Sequence, residues 1–190
     1  MTKDQLLLAL NEGRLTKEKR DFLVAKVLQH PELVKPLLSQ VSEEDKNDTF
    51  NGSWVLDNAL RKQLEILLPH IDEFCTNLSG LRSESVIRPM AHICEMVVVS
   101  HFKQKKEVFV KKLQNGHLEK ITECCFDWLI GNHKIATKVF AMTSLFHLGK
   151  KFVWIHPELK SVLEQTIATG TTGYQNRAAK TLNELKALGH

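Results

Sequence analysis

Residues 83–96, SESVIRPMAHICEM, together with VVVS at 97–100, decide the fold. Val86, Met90, Ile93, Cys94, Val97 and Val98 recur at three- and four-residue steps, the spacing that brings side chains onto one side of a helix. A half-buried strand alternates every second residue, and this stretch does not. Apolar residues occupy most of the circumference, so the spacing predicts a buried helix at the centre of the fold. Three further stretches can be laid over it: NDTFNGSWVLDNAL at 47–60, HKIATKVFAMTSLF at 133–146 and GYQNRAAKTLNEL at 173–185. The overlay puts Gly52, Arg88, Lys138 and Arg177 in one column, at intervals of 36, 50 and 39 residues. The middle interval falls to about that of its neighbours when a Lys-rich segment at about 103–116 is taken as an insertion.

Outward from this helix the same period continues. Phe22, Val24, Val27 and Leu28 form one stripe, and Leu33, Leu37 and Val41 form the next. Pro31 suits a first helical turn, so these two segments read as an antiparallel pair joined at His30. A polar linker, Ser42 to Asp48, leads to a helix with Trp54, Val55, Ala59 and Leu60; Pro69 then opens one with Ile71, Phe74, Cys75 and Leu78, stopped by Gly80. A short helix through Val108, Val110 and Leu113 is expected to close at Gly116. Beyond it follow Leu118, Ile121, Cys125 and Trp128, then Ile135, Val139, Met142, Leu145 and Phe146, then Leu159, Val162, Leu163 and Ile167, and last Ala178, Leu182 and Leu185. Gly131, Gly149 and Gly170 punctuate these runs. Ordinary helices with short connections pack as antiparallel neighbours, so we expect an all-α single domain over residues 1–190, built of stacked helix pairs.

The composition narrows the class. At 190 residues, with 43% hydrophobic and 25% charged side chains, the chain is long enough to bury a core without staples. No membrane association is expected: the apolar run Leu6, Leu7, Leu8 and Leu10 is too short to span, and Ile93 to Val99 is interrupted by Glu95. Cys75, Cys94, Cys124 and Cys125 lie inside apolar periodic segments without C-x-x-C spacing, which reads as buried thiols in a reducing, cytoplasmic setting. The net charge is +4, and Lys103, Lys105, Lys106, Glu107, Lys111 and Lys112 together carry all of it. Lysines in such a run form a solvated face unless an acidic partner meets them.

The column of Gly52, Arg88, Lys138 and Arg177 resembles the second-helix pattern of HEAT/armadillo repeats, where an acid lies four positions before a base. Glu84 with Arg88, followed by Ala91, matches it; Asp48 before Gly52 keeps only the acid, and Lys138 and Arg177 keep only the base. The resemblance covers residues from about 17 to 188. It implies a right-handed α-α superhelix of about four to five helix pairs, with the basic column either laddered to neighbouring acids or lining the concave surface.

Several constellations bear on chemistry. His92 and Glu95 share a helix face at i and i+3, a carboxylate–imidazole pair, but neither H-x-x-E-H nor H-E-x-x-H occurs, so no metal site is expected. Asp57 lies three residues after Trp54, and Asp127 lies beside Trp128. This resembles helical-repeat DNA alkylation glycosylases, which place aromatic residues and an acid on a basic face to stack a base and steady a cationic sugar. Gly170-Thr171-Thr172-Gly173 lacks the Lys of a P-loop and reads as a helix cap. The segments FDWLI at 126–130 and WIHPELK at 154–160 are similar to those of a group of short bacterial helical proteins, some labelled adenylosuccinate lyase. That resemblance implies action on a succinylated purine, although the Ser-rich mobile loop of such lyases has no counterpart here.

These observations point first to a non-enzymatic repeat scaffold that binds a protein or peptide on its concave face, with no cofactor. Nucleic-acid binding or repair is the alternative, and lyase activity is the third. The candidate binding residues are Trp54, Asp57, Arg88, His92, Lys138 and Arg177.

Overall fold

In the computed structural model the described residues, 1–43 and 49–190, form eleven α-helices and no strand. None of these helices is long and apolar enough to cross a membrane. By internal packing the chain divides into two compact units, Met1–Ile93 and Cys94–His190.

In the first unit, α1 (Lys3–Asn11) opens on a reciprocal cap, with the Thr2 hydroxyl accepting from the Gln5 amide and the Gln5 side chain accepting from the Thr2 amide. Thr16 caps α2 (Lys17–Gln29) in the same sense through the Lys19 amide. The chain turns at His30, and a single 3-10 turn starting at Pro31 leads into α3 (Val34–Val41), as the proline suggests. α4 (Thr49–Lys62) packs against both α2 and α3. Gly52 explains how closely: a Cβ there would sit 3.0 Å from the Gln40 side-chain oxygen and 3.9 Å from Leu37 of α3. Asn51, beside it, is buried and fully used. Its amide donates to the Leu10 and Gly13 carbonyls, each at 2.8 Å, and its oxygen accepts from the Leu15 amide at 3.3 Å, which pins the α1–α2 loop to α4. A 3-10 stretch, Leu64–His70, leads to α5 (Ile71–Asn77), and α6 (Glu84–Phe102) follows. The boundary between the units falls within α6. Its Val86, Met90, Ile93, Cys94, Val97 and Val98 are all buried, in keeping with its apolar circumference.

In the second unit, α7 (Glu107–Lys112), α8 (Asn115–Ile130), α9 (Ile135–Leu148), α10 (Ile155–Thr166) and α11 (Thr172–Ala187) follow in turn. α9 is the hub, touching α8, α10 and α11, and α10 also packs on α11. Ile121, Cys125 and Leu129 of α8, Met142, Leu145 and Leu148 of α9, Leu159 and Leu163 of α10, and Ala178 and Leu185 of α11 fill its core. Gly149 lets α9 meet α10: a Cβ there would lie 2.0 Å from the ring of buried His156, whose Nε2 donates to the Phe146 carbonyl at 2.9 Å.

Three local expectations need correction. Phe22 is exposed, and Leu23 takes its place in the core beside Val24 and Val27. In α7 the buried pair is Phe109 and Leu113, spaced i and i+4, while Val108 and Val110 face outward. Gly116 does not close that helix; it lies in the first turn of α8, whose N-cap is Gln114. All four cysteines are buried as free thiols. Burial is the main force that pushes Cys124 up to about 11, and Asp127 and Glu123 add to it.

Candidate functional site

Of the predicted residues of the first unit, Trp54, Asp57 and His92 meet at α4. Asp57 and Arg61 are one turn apart there, and the Arg61 guanidinium donates to Asp57 Oδ2 from Nε at 3.0 Å and Nη2 at 2.8 Å. The other carboxylate oxygen, Oδ1, lies 2.6 Å from His92 Nδ1 on α6. An ionised carboxylate only accepts, so Nδ1 carries the proton of this bond. Asp57 is buried and both its oxygens are engaged, so the charge that a glycosylase-like reading needs is already neutralised within the protein. Trp54 lies one turn earlier, half-buried, with the Arg20 guanidinium over its ring 4.6 Å from the centroid and the Phe50 ring stacked on it at 5.8 Å. Both neighbours of this indole come from its own unit. His92, paired in the sequence reading with Glu95, finds its carboxylate 35 residues away.

The column separates on inspection. Gly52 is a packing position, Arg88 is exposed on α6, and Lys138 on α9 and Arg177 on α11 are half-buried. Asp48, the acid assigned to Gly52, lies outside the described residues.

Arg177 lines a cavity of about 340 Å³ within the second unit. Thr143, Phe146, His147 and Lys150, at i, i+3, i+4 and i+7 along and just past α9, form one wall. Arg177, Lys180, Thr181 and Glu184 form the other with the same spacing on α11, and Lys103 and Leu188 complete it. Four cations therefore surround the space against one carboxylate. Lys150 sits over the Phe146 ring at 5.6 Å, and among the described residues Lys103, Lys150, Arg177 and Lys180 form no ion pair. His147 is buried and its Nδ1 has no hydrogen-bond partner among them. Burial, then the positive charges of Lys150 and Lys103, lower its pKa to about 4, so it is neutral at pH 7. Sequence reasoning found Arg177 and missed the rest. The usable signal was the pair of identically spaced polar stripes on neighbouring helices, read as a face in common.

A second surface of this unit is apolar. Phe126 of α8 stacks on Trp154, which immediately precedes α10, with centroids 5.7 Å apart. Ile130, one turn after Phe126, is 64% exposed, Trp154 is 54% exposed and Val153 is 75% exposed. The segments FDWLI and WIHPELK thus meet through their aromatic residues. Trp128, by contrast, is core, while Asp127 is exposed.

No family model, no curated protein and no solved structure matches the chain. The functional reading therefore rests on these two surfaces and on the self-paired cluster of the first unit.

Proposed function

We propose that the chain is a non-enzymatic helical-repeat scaffold of the HEAT/armadillo type, a right-handed superhelix of about four to five helix pairs, that binds a protein or peptide partner. The α8–α9 and α10–α11 neighbours, with α9 against α11, support a repeat reading for the second unit. The observation that carries the binding claim is the stack of half-buried Phe126 on exposed Trp154, with Ile130 and Val153 also exposed on the same two segments. Contiguous apolar surface left in water costs solubility and free energy, and a partner's apolar side chains offset both. A tryptophan with one face already stacked is a rigid anchor that loses little entropy on binding, the usual composition of an interface hot spot.

The test is affinity capture with the full chain and with the variants Ile130→Asp and Trp154→Ala, both at exposed positions. A partner held by the wild type and weakened about thirtyfold by either change, with thermal midpoints unaltered, is expected. Equal capture by all three proteins, or strong stabilisation by a metabolite with no protein partner at all, would overturn the scaffold reading.

A further inference from the structure

The second unit's cavity is a different site from the apolar cluster, and its chemistry is different too. Four cations line a space of about 340 Å³ with only Glu184 to oppose them. Like charges gathered around a cavity repel one another, and the cost rises as water is displaced from between them. Lys103, Lys150 and Lys180 are exposed and Arg177 is half-buried, so the charges stand around the rim of the cavity. Here they converge from three places in the chain: the end of α6, the end of α9 and one stripe of α11.

One polar group in the wall strengthens the case. His147 is 6% exposed and its Nδ1 has no hydrogen-bond partner among the described residues. Buried polar groups are almost always hydrogen-bonded, so an unpartnered nitrogen in the cavity wall marks a place where a ligand supplies the missing atom. Arg177 adds a planar fork matched to an oxyanion, and the lysines add point charges. Half-buried Phe146 and exposed Leu188 add an apolar part to the lining, against which a carbon skeleton can lie. One carboxylate would neutralise one of four cations. A phosphate ester carries nearly two negative charges at neutral pH and three acceptor oxygens, which suits this wall better.

We infer that the cavity between α9 and α11 binds a small organic molecule bearing a phosphate group, held by Lys103, Lys150, Arg177 and Lys180 with its apolar part against Phe146 and Leu188. His147, with Lys103 and Lys150 near it and Arg177, Lys180 and Glu184 on the other wall of the cavity, is its internal reporter. A bound anion offsets the lysine charges and raises the imidazole's proton affinity.

The experiment is an NMR titration of the histidine ring signals of the full chain at low ionic strength with inorganic phosphate and with phenyl phosphate, against NaCl at matched ionic strength. Both phosphates are expected to raise the His147 pKa, with phenyl phosphate binding about tenfold more tightly because its ring reaches the apolar wall. The double variant Lys150→Gln/Arg177→Gln is expected to lose at least about tenfold in affinity for both. Lys112→Gln, exposed and outside the cavity lining, serves as the control for loss of a surface charge and is expected to bind as the wild type does. Thermal midpoints without ligand check that the variants fold. An unmoved His147 pKa, equal affinity for the two phosphates, equal weakening by Lys112→Gln, or displacement of both by a duplex oligonucleotide at much lower concentration would each overturn the inference.

Discussion

His92 in the first unit and His147 in the second both stand on helices beside charged side chains, yet their surroundings are opposite. His92 donates to a buried carboxylate that Arg61 also grips, so a local set of charges closes on itself. His147 faces cations, has an unpartnered nitrogen, and borders a space. The same residue types therefore do two jobs. Where charge is balanced from within, the cluster joins one helix to another; where it is left unbalanced, the remainder is addressed to something outside the chain.

Three changes would break or sharpen that contrast. The largest effect is expected from Asp57→Ala, which strips the shared, buried acceptor from the half-buried His92 imidazole and from the Arg61 fork. Chemical denaturation should show a loss of about 3 to 4 kcal/mol. A loss below about 0.5 kcal/mol would mean that the cluster does not hold α4 to α6.

The second concerns pH. His147 titrates at about 4 when folded and at its ordinary 6.5 when unfolded, so between those values the unfolded chain binds more protons. Stability is thus whole above pH 6.5 and falls as the pH drops through about 4; burial pushes the His156 pKa in the same direction. We expect His147 to account for about 2 kcal/mol of that loss, less than the full shift would yield because cavity water screens part of it. Denaturation midpoints measured from pH 7 to pH 4 should lose that portion of their slope in His147→Gln. An unchanged slope would show that His147 is not held neutral by its surroundings.

The smallest effect belongs to the cavity lysines. Lys150→Ala or Lys180→Ala should leave stability within about 0.5 kcal/mol of the wild type, or raise it slightly, because each removes repulsion and no ion pair. Added salt should stabilise the wild type more than it stabilises either variant. A loss above about 1 kcal/mol would place these lysines among the structural charges and erase the difference between the two regions.

Much of the fold was legible before any coordinate. The burial of α6 follows from its apolar circumference, and Pro31, Gly131 and Gly149 mark ends that the helices respect. Less of the site was legible. Arg177 stood out as a column member, but Lys103, Lys150, Lys180 and His147 carry no motif, and their meaning comes from facing one another. In α7 even the core face was misread, because two valines flank the phenylalanine that is buried and a segment of six residues is too short for its period to choose.

Helical periodicity is a relation between residues three or four apart, so the amino-acid order alone determines that this chain is helical, roughly where its helices begin and end, and which thiols are sequestered. Which faces meet is a relation between residues tens of positions apart, and only the packed structure settles it. Asp57 reaches His92, and Phe126 reaches Trp154, across separations that no local spacing encodes. The cavity belongs to the same class: its two stripes are each visible in the sequence, and their juxtaposition exists only because α9 packs against α11.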